Sequence, residues 1–214
     1  MEEVRCYFAI ILIATAIIFA NILDRCVSIF DALTKSVFQV ASLITSTGFS
    51  STDFNLWPQI CRTVLVLIMF IGACAGSTTG GLKCIRMVIL AKVSRNEFKH
   101  ILHPNAVLPV RVNKQVISPS IVSTVLAFFF LYIIIIIVSI LIMMGMGIGA
   151  EESIGCVVSS IGNMGPGLGD TGPAYSWNAL PDAAKWLLSF LMLLGRLELF
   201  TVLLLFTPEF WKRN

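Results

Sequence analysis

Charge is scarce in this chain. Asp, Glu, Lys and Arg make up 13% of its 214 residues, about half the roughly 25% of an ordinary soluble domain. Hydrophobic residues reach 57% and the mean hydropathy is +0.91, so a soluble domain is excluded and no nucleic-acid partner is expected. Lys and Arg are missing altogether from Gln115 to Ala184. Histidine occurs only as His100 and His103, which read as solvated loop residues because no ligand cluster surrounds them. The six cysteines (Cys6, Cys26, Cys61, Cys74, Cys84 and Cys156) have no CxxC spacing. That argues against a zinc site or a disulfide framework and leaves them as small apolar fillers between helices. No nucleophile–base pair, Walker motif, GxGxxG or metalloenzyme cluster is found, so the chain is not expected to be an enzyme. Met1-Glu2-Glu3-Val4-Arg5 lacks the basic start of a signal peptide, and the apolar run after it is long for one, so it reads as a retained helix.

What is present is apolar sequence of two lengths. Full spans are expected near Cys6–Leu23, Ile121–Met144 and Ala183–Phe206, and another begins with Ile60–Ala75. Between the first pair, after the polar residues Asp24, Arg25, Asp31 and Lys35, lies a shorter stretch, Val37–Thr45. At 1.5 Å per residue it is about 14 Å long, half of a hydrocarbon core of about 30 Å. It can enter a membrane but not cross it. A second such unit covers Ser153–Pro166. The 83–114 segment carries Lys83, Arg86, Lys92, Arg95, Lys99, Arg111 and Lys114 against one acid, Glu97. The positive-inside rule places it in the cytoplasm, and Pro104 and Pro109 predict a turn or loop in its middle. Glu151, Glu152, Asp170 and Asp182 make the surroundings of the second short unit acidic, as an outer mouth would be. Trp211-Lys212-Arg213 reads as a cytoplasmic anchor. Both termini then lie inside and both short units enter from outside. Lys92, Arg95 and Lys99 also suit anionic membrane-lipid headgroups or a cytosolic partner.

Each short unit ends in a glycine segment: Thr45-Ser46-Thr47-Gly48-Phe49 and Gly162-Asn163-Met164-Gly165-Pro166. Gly48 and Gly165 are 117 positions apart, and Asp53 and Asp170 follow them at equal distance. Trp57 with Trp177, and Met69-x-x-Gly72 with Met192-x-x-Gly195, echo one another, the second pair with about six residues inserted. Non-helical backbone survives at membrane depth only when it is buried in protein or lines a water-filled cavity. A helix entering from outside ends in free carbonyls whose dipole favours a cation, and the extended backbone after it can replace an ion's hydration shell. Thr47 can add a hydroxyl oxygen.

The two glycine segments, together with Gly72-Ala73-Cys74-Ala75-Gly76-Ser77-Thr78-Thr79-Gly80-Gly81-Leu82-Lys83, His103-Pro104-Asn105-Ala106-Val107 and the continuation Gly167-Leu168-Gly169, resemble the Trk/Ktr potassium-uptake family, of the TrkH/TrkG membrane-subunit type. The resemblance spans essentially the whole chain but only the latter half of that family's subunit, its third and fourth repeats. It implies an all-α membrane protein of two tandem span–re-entrant pore loop–span repeats, residues 1–102 and 118–214, joined by a cytoplasmic linker, 103–117. It implies potassium uptake across the cytoplasmic (inner) membrane, with Gly48 and Gly165 as filter glycines. The carbonyls of Thr45, Ser46, Thr47, Gly162, Asn163 and Met164 would then bind K+, which is cargo rather than a resident cofactor. The second loop departs from a simple Thr-x-Gly pattern, so weaker discrimination between potassium and sodium is expected.

Gly72, Gly76, Gly80 and Gly81 weaken a helix by about 1 kcal/mol each relative to alanine. Gly72 and Gly76 also have the spacing of a close helix–helix contact. With Ser77, Thr78 and Thr79 they suggest unwound backbone below the filter, and the resemblance implies an intramembrane loop that obstructs the pore. Arg196 lies fifteen residues before Trp211, about 22 Å along a continuous helix and so deep in the bilayer, where an arginine faces protein or water. Glu198, two residues on, is off its face. Arg196 is expected to meet the Gly76–Gly81 loop and set a barrier to cations, unless it has a purely structural pairing. Two loops cannot ring an ion by the family's geometry. A missing N-terminal half, a separate protein or a second copy must complete four repeats. The resemblance also implies a homodimer of the full subunit and a cytosolic nucleotide-binding regulatory ring. The competing readings are a four-span structural or assembly protein, and a poorly selective or sodium-coupled cation carrier (a symporter).

Overall fold

A computed structural model describes residues 1–77, 79–103, 108–197, 199–205 and 207–211. Thr78, Glu198, the Pro104–Val107 motif and the Lys212-Arg213 anchor of the sequence reading lie outside the described residues. The fold is predominantly helical. Helix α1 (Glu2–Ile22) continues through a 3-10 turn, Leu23–Arg25, and is followed by α2 (Ile29–Ile44) and α3 (Gln59–Phe70). A two-residue parallel ladder, β1 (Ile71–Gly72) with β2 (Leu82–Lys83), closes a loop and leads into α4 (Cys84–Leu102). A hairpin, β3 (Arg111–Val112) with β4 (Gln115–Val116), precedes α5 (Pro119–Gly145), α6 (Ala150–Gly162) and α7 (Asp182–Arg196). Short helices α8 (Leu199–Leu204) and α9 (Pro208–Trp211) follow.

Among the described residues, two helical stretches are long and apolar enough to cross a membrane, Glu2–Arg25 and Pro119–Gly145, while α3 is a shorter apolar helix. Both long stretches keep large apolar side chains exposed, among them Phe8 and Leu12 on α1 and Phe130 and Leu141 on α5. Such faces suit lipid or another chain, since outside a membrane they would be a large apolar patch.

Several boundaries differ from the sequence reading. Helix α2 starts at Ile29 rather than Val37, because residues read as a polar connection serve the helix. Ser28 Oγ accepts from the Asp31 N–H at 3.2 Å, a side-chain N-cap. Lys35 Nζ lies 2.7 Å from Asp31 Oδ2, one turn away. That hydrogen bond holds the Asp31 carboxyl below its usual range and raises the Lys35 ammonium. Helix α3 stops at Phe70, well before Ala75. The basic segment is mostly helix α4, so His100 is an exposed helical residue rather than a loop residue. The last apolar run is divided, with α7 ending at Arg196 and α8 beginning at Leu199.

The interior forms two main apolar clusters. One gathers α1, α2 and α3 around Ile18, Val40, Leu43 and Leu65. The other gathers α5, α6, α7 and α8 around Tyr132, Ile161, Leu188 and Leu191. Helix α6 belongs to both: Val158 sits in the first cluster, Cys156, Val157 and Ile161 in the second, and Gly155 through Gly162 are all buried. The two halves are also stitched by backbone mimicry. Asn55 Nδ2 donates to Gly169 O at 2.8 Å, and Gly169 N donates to Asn55 Oδ1 at 3.1 Å. Asn55→Ala removes both bonds and strands the partly buried Gly169 N–H, while the Gly169 carbonyl keeps its bond from Gly172 N. The stranded N–H should destabilise the fold by about 1–3 kcal/mol. A lowered denaturation midpoint in detergent is the expected outcome; an unchanged midpoint would show that this pair does not hold the halves together.

Candidate functional site

The glycine segments form the same backbone turn. After α2, Ser46 N donates to Leu43 O at 3.0 Å and Thr47 N to Ser42 O at 2.9 Å; after α6, Asn163 N donates to Ser160 O at 3.1 Å and Met164 N to Ser159 O at 3.0 Å. Ser46 and Asn163 both take φ 54°, and Gly48 and Gly165 follow at φ 78° and 113°. Every pair is offset by 117. Bonds from the two residues after the helix back to its last carbonyls, with a left-handed residue between, terminate a helix without a side-chain cap. Ser42 and Ser159 differ in use: Ser42 Oγ donates to Phe49 O at 2.5 Å, whereas Ser159 Oγ accepts from Gly165 N at 3.1 Å.

The turns touch. Ser46 Oγ donates to Gly162 O at 3.1 Å, and a Cβ built on Gly48 would lie 1.8 Å from Met164 O. Only a glycine permits both that approach and the positive φ. The carbonyl ends of α2 and α6 therefore meet, and Gly48, Gly165, Phe49 and Trp177 line one open cavity of about 460 Å³ beside them. Among the described residues no hydrogen bond reaches the carbonyls of Thr45, Ser46, Thr47, Asn163 or Met164, while the Gly162 carbonyl is engaged by Ser46. Thr45 Oγ1 donates to Ala41 O at 2.7 Å and lies 2.7 Å from Thr47 Oγ1. Since the Thr45 proton is committed to Ala41, Thr47 is the donor to Thr45 and its lone pairs stay open.

The Gly76–Gly81 segment lies in the loop closed by the β1–β2 ladder. Gly80 is buried against the end of α6, where its Cβ would lie 2.6 Å from Ile161 O and 3.0 Å from Asn163 Nδ2. Gly195 on α7 approaches the same atoms from another side, at 2.0 Å and 2.8 Å, and Asn163 Nδ2 donates to Met192 O at 3.1 Å. Sequence reasoning assigned Asn163 through its carbonyl and missed that its amide is held between these glycines. A small cavity of about 80 Å³ is lined by Ser77, Thr79, Gly81, Lys83, Arg86 and Arg196 among others, so Arg196 and the loop share a wall. Arg86 stacks 3.9 Å over the Phe128 ring, which stacks on Tyr132. In the sequence Arg86 reads only as a topology signal, and Lys83 as that and as the end of the glycine-rich motif. Gly76, by contrast, is exposed with nothing within 4 Å of its built Cβ.

Trp57 and Trp177 are not structural counterparts. The 3-10 turns Phe54–Leu56 and Trp177–Ala179 match, each followed by a proline at the helix start, Pro58 and Pro181. Their offset of 123 is that of Gly72 and Gly195, so the extra six residues precede the Trp177 turn. Gly195→Ala should destabilise the protein: crowding a backbone carbonyl costs about 1–3 kcal/mol, against about 1 kcal/mol returned by better helix propensity. Gly76→Ala, in open space, should leave the denaturation midpoint unchanged. Equal midpoints for both variants would contradict the close contact at Ile161.

A family model described as TrkH, cation transport protein, matches residues 7–213. The chain is 37% identical over 185 residues to the Trk system potassium uptake protein TrkI of Halomonas elongata, covering 86% of this chain and 38% of that protein. It is 37% identical over 206 residues to the Trk system potassium uptake protein TrkH of Escherichia coli K12, covering 96% of this chain and 42% of that one. The crystal structure of the potassium transporter TrkH from Vibrio parahaemolyticus superposes with a TM-score of 0.90 at 35% identity, over 98% of this chain and 45% of that chain. The chain thus spans about two fifths of the length of the curated relatives it matches. With a matching family model over nearly its whole length and the same fold as a solved member, this chain belongs to the TrkH cation transport protein family.

Proposed function

We propose that this chain forms part of a potassium-uptake pathway in the cytoplasmic membrane. In this reading residues 1–102 and 118–214 are two span–re-entrant loop–span units joined by 103–117. The observation that carries it is the meeting of the α2 and α6 carbonyl ends, with the carbonyls of Thr45, Ser46, Thr47, Asn163 and Met164 unused by hydrogen bonds among the described residues. Those oxygens, with Thr47 Oγ1, are two adjacent quadrants of a filter that strips the hydration shell of K+. The dipole ends of two helices favour the cation there. Two further quadrants come from the remaining length that the relatives possess, or from a second copy. Gly162 contributes less than its neighbours, because its carbonyl already accepts from Ser46.

Below the filter the loop that holds Gly76, Ser77, Thr79, Gly80 and Gly81 obstructs the path. Arg196, with Lys83 and Arg86 around the same cavity, adds a positive barrier to cations. The basic α4 and the hairpin lie on the cytoplasmic side, where a nucleotide-binding regulatory ring and lipid headgroups are the natural partners; the full subunit pairs as a homodimer. The work done is ion passage rather than catalysis.

Gly48→Ser and Gly165→Ser should each displace filter oxygens. A lost contact of that kind is worth about 1.5–3 kcal/mol at a charge, or roughly a tenfold to hundredfold fall in potassium flux. The assay is growth at low potassium of cells lacking their own uptake, carrying the full-length protein, with membrane insertion measured alongside. Normal growth of both variants would leave a structural protein as the better reading. Arg196→Ala should raise single-channel current or open probability several-fold, and no change would remove the barrier role. Bi-ionic reversal potentials should show modest discrimination against sodium; near-absolute preference would contradict a filter of unlike quadrants.

A further inference from the structure

The tip of the intramembrane loop is poorly packed but firmly tied. Its own bonds are local: Ser77 N donates to Cys74 O at 2.9 Å, Ala73 N to Thr79 Oγ1 at 3.1 Å, and Thr79 N to Ser77 Oγ at 3.3 Å. Ala75 and Gly76 are exposed, and nothing stands within 4 Å of a Cβ on Gly76. Apolar burial therefore does not hold this stretch. A hydrogen bond from another helix does: Ala75 N donates to Glu3 Oε1 at 2.6 Å, across 72 residues. A carboxylate acceptor makes this bond short and about twice as strong as a neutral one.

The carboxylate is itself on a fixed base. Glu3 lies in the first turn of α1, and its backbone carbonyl accepts from Cys84 Sγ at 3.8 Å, at the start of α4. Its neighbour Glu2 pairs with Lys92 of α4, and Glu2 N donates to Asn113 Oδ1 at 2.8 Å. Lys92 Nζ also donates to Arg111 O at 2.6 Å, in the hairpin. One helical turn thus joins α4, the hairpin and the loop tip.

We infer that Glu3 is a positioning residue for conduction: its carboxylate latches the Cys74–Ala75 tip and thereby holds the loop in the ion path. The inference rests on the proposed obstructing role of the loop. Release of the bond frees a tip whose Ala75 and Gly76 are exposed, so the loop can withdraw and current can rise. Glu3→Gln keeps a carbonyl Oε1 and so retains about half of the latch, whereas Glu3→Ala loses it.

Cys74, a free and half-buried thiol beside Ala75, reports on the tip, and Cys84, buried, is an internal reference. The full-length protein in membranes is treated with a water-soluble maleimide, and modification of each cysteine is followed by mass spectrometry. Glu3→Ala should speed Cys74 labelling about tenfold relative to Cys84, the shift expected when one charge-assisted hydrogen bond is lost. Potassium flux should rise with it, and Glu3→Gln should fall between the variant and wild type. Unchanged Cys74 labelling in Glu3→Ala overturns the latch, whatever the flux. Faster Cys74 labelling with unchanged flux keeps Glu3 as the tether of the tip but overturns the loop as the obstruction. Faster labelling of Cys84 as well would mean general loosening of the α1–α4 contact and would also overturn the latch.

Discussion

The structure turns on the burial of a helix end. Helix α6 is enclosed on every side over its last two turns, and a helix C-terminus carries carbonyls with no partner inside the helix. Here they are met mainly by backbone. Gly80 and Gly195 close on Ile161 O, Ser46 Oγ reaches Gly162 O, and Gly48 sits against Met164 O. The three glycine approaches are each too near for a Cβ. The positions of the loop after β1, of α7 and of the α2 turn are therefore all measured from the same few atoms.

That constraint explains why the second apolar cluster and the first share one helix. If α6 shifted, the Val158 contact with the first cluster and the Ile161 contact with the second would move together. It also accounts for the abrupt ends of α3 and α7. Each stops shortly after a Met-x-x-Gly stretch begins or within it, at Phe70 and Arg196. Beyond β1, where the chain is irregular, the N–H groups of Ala73, Ala75, Ser77 and Thr79 are paired by the loop's own bonds and by Glu3.

The relation between the two halves is close locally and loose globally. The turns at Ser42–Gly48 and Ser159–Gly165 share their two helix-terminating backbone bonds because a helix that must reverse uses one economical set of hydrogen bonds. Outside them the halves diverge. Helix α7 is longer than α3, and the Trp177 turn lies beyond six extra residues. Asn163 also carries an amide where Ser46 has a hydroxyl. Asn163 reaches Met192 within its own half, while Ser46 reaches across to Gly162. Chemically unlike residues at equivalent positions thus do different structural work on the same backbone.

The helical class, the family and the paired glycine turns were legible in the sequence, because these depend on run length, composition and local backbone chemistry. It also singled out Gly48, Gly165, the glycine-rich loop and Arg196. It misjudged where α2 begins, since the Ser28 cap and the Asp31–Lys35 pair resemble a polar linker until they are seen on a helix. It paired Trp57 with Trp177, a likeness of residue type that the backbone does not share. Only the tertiary structure decided that Gly80 lies under α6, that the Asn163 amide fills the gap between Gly80 and Gly195, and that Glu3 holds Ala75. Each of these contacts has on at least one side a glycine Cα, a peptide N–H or a carbonyl oxygen, and its partner lies far away in the chain. Such groups are the same at nearly every residue, so they leave no pattern in the sequence from which their partners could be read.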